Sequence, residues 1–281
     1  MNGIILYSLA VLLISINQAV SKFMVEKIDT FVVMQVRMAV TCTLCLIALR
    51  GKPVLGPPEY RVLVLVRGVL GFVGLCCTYY GLKYLSLSDK ATLAFLVPLA
   101  TCIAANWMLH EPLGWPKIAG SFTSLIGVII IARPSLLFGG ENEVHRGAAI
   151  CASLIFVSVT AVGIIVLRKL RECNAFVPVC SFAAISFIVS CVVCAITQPA
   201  YPTKPLTWLL LVATGVLGFL IQYLETKALQ YSEASLLVNI RYTQLLWATL
   251  WQFLIWHELP DIFTITGSII IISSVAYSLR N

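Results

Sequence analysis

The sequence predicts an all-α integral membrane protein of ten transmembrane helices, arranged as two inverted five-helix repeats. Three observations carry this expectation. Of 281 residues, 60% are hydrophobic and 11% charged, with a mean hydropathy of +0.96, whereas soluble domains have roughly 45–50% apolar and about 25% charged residues. Apolar runs of about 20 residues recur along the chain, the length that crosses a hydrocarbon layer of about 30 Å. The second half also repeats the first at a fixed offset of 147 residues.

The spans follow in order. The first run, 3–24, has neither a basic n-region nor a small-residue cleavage site and reads as a retained helix, not a signal peptide. Spans two to five are expected at 30–49, 62–82, 88–109 and 115–132. The break at 51–58 contains Pro and Gly and reads as a turn, as does the Pro-containing break at 198–205. The longest polar break, 134–146, carries Glu141, Glu143 and Arg146 and forms a linker between a first repeat, 3–133, and a second, 147–280. Spans six to ten are expected at 147–167, 175–196, 206–228, 234–256 and 262–279.

The offset of 147 lays Gly68-Val69-Leu70-Gly71-Phe72 on Gly215-Val216-Leu217-Gly218-Phe219, without a gap. It continues through Ser88 on Ser235, His110-Glu111 on His257-Glu258, Gly120-Ser121 on Gly267-Ser268 and Arg133 on Arg280, with 16 of 66 pairs identical between 68–133 and 215–280. Apolar bias does not explain matched Gly, His, Glu and Arg. Five spans per half is an odd number, so the second copy enters the membrane from the opposite face. Inverted repeats are a device of secondary transporters, which hold substrate near the midplane between the copies. Duplication that serves only folding is the other reading.

Counting Lys and Arg with the N-terminus inside gives nine inner against seven outer residues, Lys83 and Lys90 among the outer ones. The bias favours cytoplasmic termini; the plasma membrane is favoured over an organelle membrane. The net charge of +7 is scattered between apolar runs and offers no nucleic-acid surface. Most of the ten cysteines lie inside apolar runs and read as small core hydrophobes. No metal is expected: His110-Glu111 and His257-Glu258 lack the second His of H-E-x-x-H and read as repeat architecture. No P-loop and no nucleophile–base set is present, so neither a cofactor nor an enzymatic activity is expected.

Tyr80-Gly81-Leu82-Lys83-Tyr84-Leu85-Ser86, then Pro98, His110-Glu111-Pro112-Leu113 and Gly120, resemble the first repeat of an EamA transporter. Lys227-Ala228-Leu229-Gln230-Tyr231, Tyr242, His257-Glu258 and Gly267-Ser268 resemble the second. Such repeats belong to the drug/metabolite transporter superfamily, and the arrangement is most similar to the eukaryotic solute-carrier branch related to nucleotide-sugar transporters. The resemblance implies ten helices with cytoplasmic termini and a central cavity built from spans one to four and six to nine. It specifies no substrate. The second repeat carries Leu245 where the first carries Pro98, which leaves a kink in span nine open.

Charge within a bilayer is costly, so ionisable residues in the spans are candidate functional groups. Arg241 lies near the middle of span nine, and at about 100° per residue Gln244, Ala248 and Gln252 fall on its face, with Trp247 and Trp251 to one side. Arg37 lies in span two on a stripe with Thr30, Thr41 and Cys45; snorkelling to the interface is its other reading. Arg67 is nearer a helix end, beside Arg61, and reads as snorkelling or topology control. Span eight places Gly215, Gly218, Gln222 and Glu225 on one face, with Glu225 either a gate or proton site paired with Arg241 or half of a permanent ion pair. Gln18 lies deep in span one and is a candidate hydrogen-bonding residue. Tyr79, Tyr80, Tyr223 and Tyr242 read as aromatic packing.

The expected function is secondary active transport of a small organic anion or zwitterionic metabolite by alternating access, proton-coupled or as an exchanger. Substrate contacts are expected at Arg241, Gln244, Arg37, Gln222 and Gln18, with coupling at Glu225. The partners are that small molecule and the lipid bilayer, with a homodimer left open. A non-transporting scaffold or regulator and a membrane-embedded lipid or acyl enzyme are the alternatives.

Overall fold

The computed structural model describes residues 2–25, 28–85, 87–111, 114–132, 146–256 and 261–280, and among them every regular element is helical. The order is α1 (Asn2–Val25), α2 (Thr30–Leu49), a 3-10 turn (Pro58–Tyr60), α3 (Arg61–Tyr84), α4 (Leu87–Ala94), α5 (Val97–Leu109) and α6 (Trp115–Ala132). Then come α7 (Arg146–Lys169), α8 (Phe176–Thr197), α9 (Pro205–Tyr231), α10 (Ala234–Leu237), a 3-10 stretch (Val238–Tyr242), α11 (Thr243–Trp256) and α12 (Ile262–Arg280). An apolar chain in hydrocarbon must satisfy its backbone internally, and helices do so within one segment. Among the described residues, seven segments are long and apolar enough to cross a membrane, and shorter apolar stretches lie at Gly3–Asn17 and Ile262–Ser278.

Local chemistry sets the helix ends. Asp29 accepts the Phe31 N–H at 2.8 Å ahead of α2, and Asp261 accepts the Thr264 N–H at 2.9 Å ahead of α12. At the other ends Arg50, His110 and Gln198 take left-handed φ of 48°, 54° and 45°. Each returns its N–H to a carbonyl of the helix it closes, that of Ile47, Ala105 or Cys194.

Two expected spans are broken helices. Span four stops at Ala94 and resumes at Val97 around Pro98, whose ring has no N–H and crowds the preceding turn. Span nine breaks at the equivalent place without a proline: residues 238–242 wind as 3-10 helix and α11 starts at Thr243. Tertiary bonds hold this break. The Asn239 side chain, 1% exposed, bonds to Ser121, Ser278 and the Lys117 carbonyl, and the Thr243 hydroxyl donates to the Ile240 carbonyl at 2.7 Å. The open question of a kink in span nine is thereby answered, and residues 234–256 form no single regular helix.

The helices group into two compact units, and neither is one sequence repeat. Unit 1 is Met1–Phe72 with Val166–Tyr231; unit 2 is Val73–Ile165 with Ser232–Asn281. In unit 1, α1 packs along α9, and α2 packs along both α8 and α9. The end of α9 is tied to the loop after α7: Arg168 donates to the Leu229 and Gln230 carbonyls at 3.0 and 3.1 Å, and Gln230 donates to the Cys173 carbonyl at 2.8 Å. A cation on the last carbonyls of a helix also complements its dipole. Burial pushes the Cys173 thiol up from its ordinary pKa in that loop.

In unit 2, α6 and α12 lie antiparallel at backbone distance, and their contact is reciprocal. A Cβ on Gly120 would stand 2.8 Å from Ser278 and 3.3 Å from the Ser274 carbonyl; one on Gly267 would stand 2.5 Å from Ile131 and 2.7 Å from the Gly127 carbonyl. Adding 147 to 120, 127 and 131 gives 267, 274 and 278, so each half offers the same positions to the other, as in a two-fold interface. Phe95 and Tyr242 are also 147 apart, and their rings stack at 5.9 Å within a buried cluster with Val128, Ile271 and Val275.

Gly127→Val is expected to lose about 1–3 kcal/mol through overpacking, because its Cβ would lie 2.9 Å from the Gly267 carbonyl. A lower thermal midpoint of the purified protein checks this. Gly74→Ala, whose Cβ meets its nearest neighbour at 3.4 Å, is expected to leave the midpoint near wild type.

Candidate functional site

The charged cluster of unit 1 is assembled on one face of α9. Gly215 lets α2 approach: its carbonyl accepts from the Thr41 hydroxyl at 3.3 Å, and a Cβ there would stand 2.8 Å from that of Val40. One turn later, Arg37 lays its guanidinium over Gly218, with Nε 2.7 Å from where a Cβ would be. A further turn on, Gln222 accepts from Arg67 Nη2 at 3.3 Å. Glu225 completes the face and acts on Arg67 electrostatically.

Arg67 reaches this face from α3. Its Cζ stands 5.3 Å from the centroid of the Phe182 ring on α8, a cation–π contact. Gly71, one turn along α3, clears space for it: a Cβ there would lie 2.5 Å from Arg67 Nη1 and against the Phe182 ring. Ser181 secures α8 to α3 by donating to the Val64 carbonyl at 3.0 Å. Arg67 Nε is buried and has no hydrogen-bond partner among the described residues. Arg67 thus has an amide acceptor in Gln222 and an acidic neighbour in Glu225, and Arg37 lies on the same face of α9 over Gly218.

An aromatic stack adjoins this face. Phe176 lies parallel to Tyr223 at 4.6 Å and to Phe219 at 6.0 Å. Tyr223 therefore packs by its ring, and so does Tyr242 against Phe95.

The structure brings together Arg37, Gln222 and Glu225 of the expected set. It adds Arg67, which reading by depth alone had assigned to snorkelling. A glycine four residues after the arginine, on the arginine's own helical face, is the sequence signal for that placement. Arg241 and Gln244 are half-buried in unit 2, in the 3-10 stretch and the first turn of α11. Glu225 is an acidic neighbour of Arg67 within unit 1. Gln18 lies in α1, and its side chain, like that of Tyr79, is outside the described residues.

Unit 2 gives part of the repeated His-Glu pair a definite job. His110 closes α5, and the Glu111 carboxylate accepts the N–H groups of Ala234 and Ser235 at 3.3 and 3.2 Å and the Ser235 hydroxyl at 3.1 Å. Lys117 adds an ion pair to Glu233 at 2.7 Å, so the start of span nine is fastened from two sides. His257 and Glu258 lie outside the described residues. One correction concerns Lys90, counted among outer-loop cations: it is 4% exposed, on α4 inside unit 2.

Comparison with known proteins agrees with this architecture. The model of the EamA-like transporter family matches residues 1–133 and 147–280. An uncharacterized membrane protein of Saccharomyces cerevisiae, YMR253C, is 33% identical over 242 residues, which cover 80% of this chain and 58% of that protein. The chain therefore spans less than two thirds of that relative's length. Human solute carrier family 35 member G1 is 28% identical over 242 residues, covering 82% of this chain and 65% of its own. A solved crystal structure superposes with a TM-score of 0.86 at 17% identity, covering 99% of this chain and 96% of that one, a likeness of fold.

Glu111→Ala is expected to cost about 1–3 kcal/mol, the penalty for leaving buried donors unpaired. Thermal denaturation of the purified protein measures it, and Glu111→Gln, which keeps an acceptor, is expected to lose less.

Proposed function

Because the chain belongs to the EamA-like transporter family, we propose that it is a secondary active transporter moving a small organic anion or zwitterionic metabolite by alternating access. It is a multi-pass integral membrane protein of a transporter family, not an enzyme. The proposed topology is ten spans in two inverted repeats, 3–133 and 147–280, with cytoplasmic termini in the plasma membrane. The observation that supports the substrate class is the α9 face, which carries Arg37 over Gly218, Arg67 bonded to Gln222, and Glu225 as the acidic neighbour of Arg67.

The chemistry follows from charge balance. A guanidinium presents planar forked donors that match a carboxylate or phosphate, and in a dry site each charge-assisted bond is stronger than a neutral one. Arg67 already holds one amide oxygen and keeps its Nε free among the described residues. An incoming carboxylate completes its hydrogen bonding, competes with Glu225 for the cation and leaves that carboxylate ready to take a proton or turn to solvent. That exchange couples occupancy to the electrostatics of α9. Arg241, Gln244 and Gln18 are further candidate contacts. Coupling energy comes from a proton gradient or a counter-substrate.

In proteoliposomes, Arg67→Gln is expected to lower uptake of carboxylates or phosphorylated metabolites by about tenfold or more, the effect of roughly 1.4 kcal/mol or more of lost binding. Arg67→Lys is expected to retain part of it. Organic cation uptake that survives both Arg67→Gln and Arg241→Gln, with no anion transported by the wild type, would mean that the arginines are structural and the anion reading fails.

A further inference from the structure

Among the described residues, Lys90 is the least exposed charged side chain, at 4%. It stands on α4, and all of its contacts below belong to unit 2. Its aliphatic arm crosses α3 at Gly81, where Cδ and Cε lie 3.0 and 3.1 Å from the place a Cβ would take. A side chain at 81 would crowd that arm. Its Nζ stands 3.5 Å from the hydroxyl of Ser153, itself fully buried on α7, and 4.4 Å from the centroid of the Phe156 ring one turn away. Cys77, one turn before Gly81, is its electrostatic neighbour on α3.

An ammonium has three N–H donors, and this one meets one hydroxyl at the limit of hydrogen-bonding distance and one ring face. No carboxylate among the described residues pairs with it. A buried cation held this way is expensive unless an anion joins it. Gly81, Ser153 and Phe156 nevertheless make room for the lysine, a hydroxyl that can donate to an anion and a wall that excludes water.

We propose that Lys90 and Ser153, against Phe156, form an anion-recognition site in unit 2 that takes a carboxylate or phosphate group. The group belongs either to a soluble metabolite or to the headgroup of an anionic lipid. Lys90 supplies the charge, and the Ser153 hydroxyl turns to donate a second hydrogen bond.

The test uses the purified full chain in phosphatidylcholine nanodiscs, with Arg67→Gln as the background so that the unit 1 cluster does not contribute. The thermal midpoint is followed against succinate, citrate and inorganic phosphate, and then with phosphatidylglycerol replacing part of the lipid. The expected result is that at least one of these raises the midpoint, and that adding Lys90→Met abolishes the shift or weakens apparent affinity by about tenfold or more. Lys90→Arg should keep the shift and Ser153→Ala should reduce it. Lys90→Met is itself expected to fold at or above the anion-free midpoint, since it replaces an unpaired buried charge with an apolar chain of similar length. A response to soluble anions names a metabolite as the source, and a response to phosphatidylglycerol alone names a lipid. A shift that persists in Lys90→Met, or no shift from any probe in the Arg67→Gln background, overturns the proposal. In the latter case a shift present in the wild type leaves the arginine reading standing. A shift unaffected by Arg67→Gln but lost in Lys90→Met leaves this site standing and removes the arginine cluster as the anion site.

Discussion

A guanidinium within a bilayer has no water to return to, so the protein must supply its hydrogen bonds and also the volume it occupies. In unit 1 both requirements are met by α9 and α3. Gly218 yields its Cβ volume to Arg37 and Gly71 yields its own to Arg67, while Gln222 and the Phe182 ring receive the second cation. These two glycines are the same position in the two halves, 147 residues apart. The duplicated frame thus provides matching recesses, and the arginines that fill them come from non-equivalent positions. Symmetry builds the space; asymmetry gives it chemistry.

The same logic separates what could be read in the sequence from what could not. Most helix positions were legible because hydrocarbon selects run length directly, and the 147-residue offset was legible because Gly, His and Glu recur at it. The break in span nine was not, because no proline marks it: Asn239, anchored by Ser121 and Ser278, holds the 3-10 turn through bonds to residues far away in sequence. The stripe drawn through Arg241 assumed a uniform twist, which a 3-10 segment does not have. Depth along a span likewise says how far a charge is from the interface but not which neighbour leaves it room. Arg67 and Lys90 were therefore both assigned outward, although each has a glycine across its path.

Mixing of the two halves within each compact unit was also hidden. Periodicity reports which face of a helix is apolar and is silent on its partner. Unit 1 pairs α2 with α8 and unit 2 pairs α6 with α12, equivalent helices of opposite halves in each case. The His-Glu pair is instructive here. It looked like repeat punctuation, yet Glu111 in the first half fastens the start of span nine in the second. A repeated motif can thus serve both its own copy, as His110 does in closing α5, and the other, as the Glu111 carboxylate does.

The reciprocal seam between α6 and α12 has a consequence for how the chain is made. On the ribosome α6 emerges 147 residues ahead of its counterpart, and its glycine face has no mate during the synthesis of everything between. For that interval lipid tails, which fit poorly against bare backbone, or an insertase lie where α12 will dock. The seam therefore closes in one sense only: were α12 to run parallel to α6, Gly267 would no longer fall opposite Gly127 and the groove would stay open.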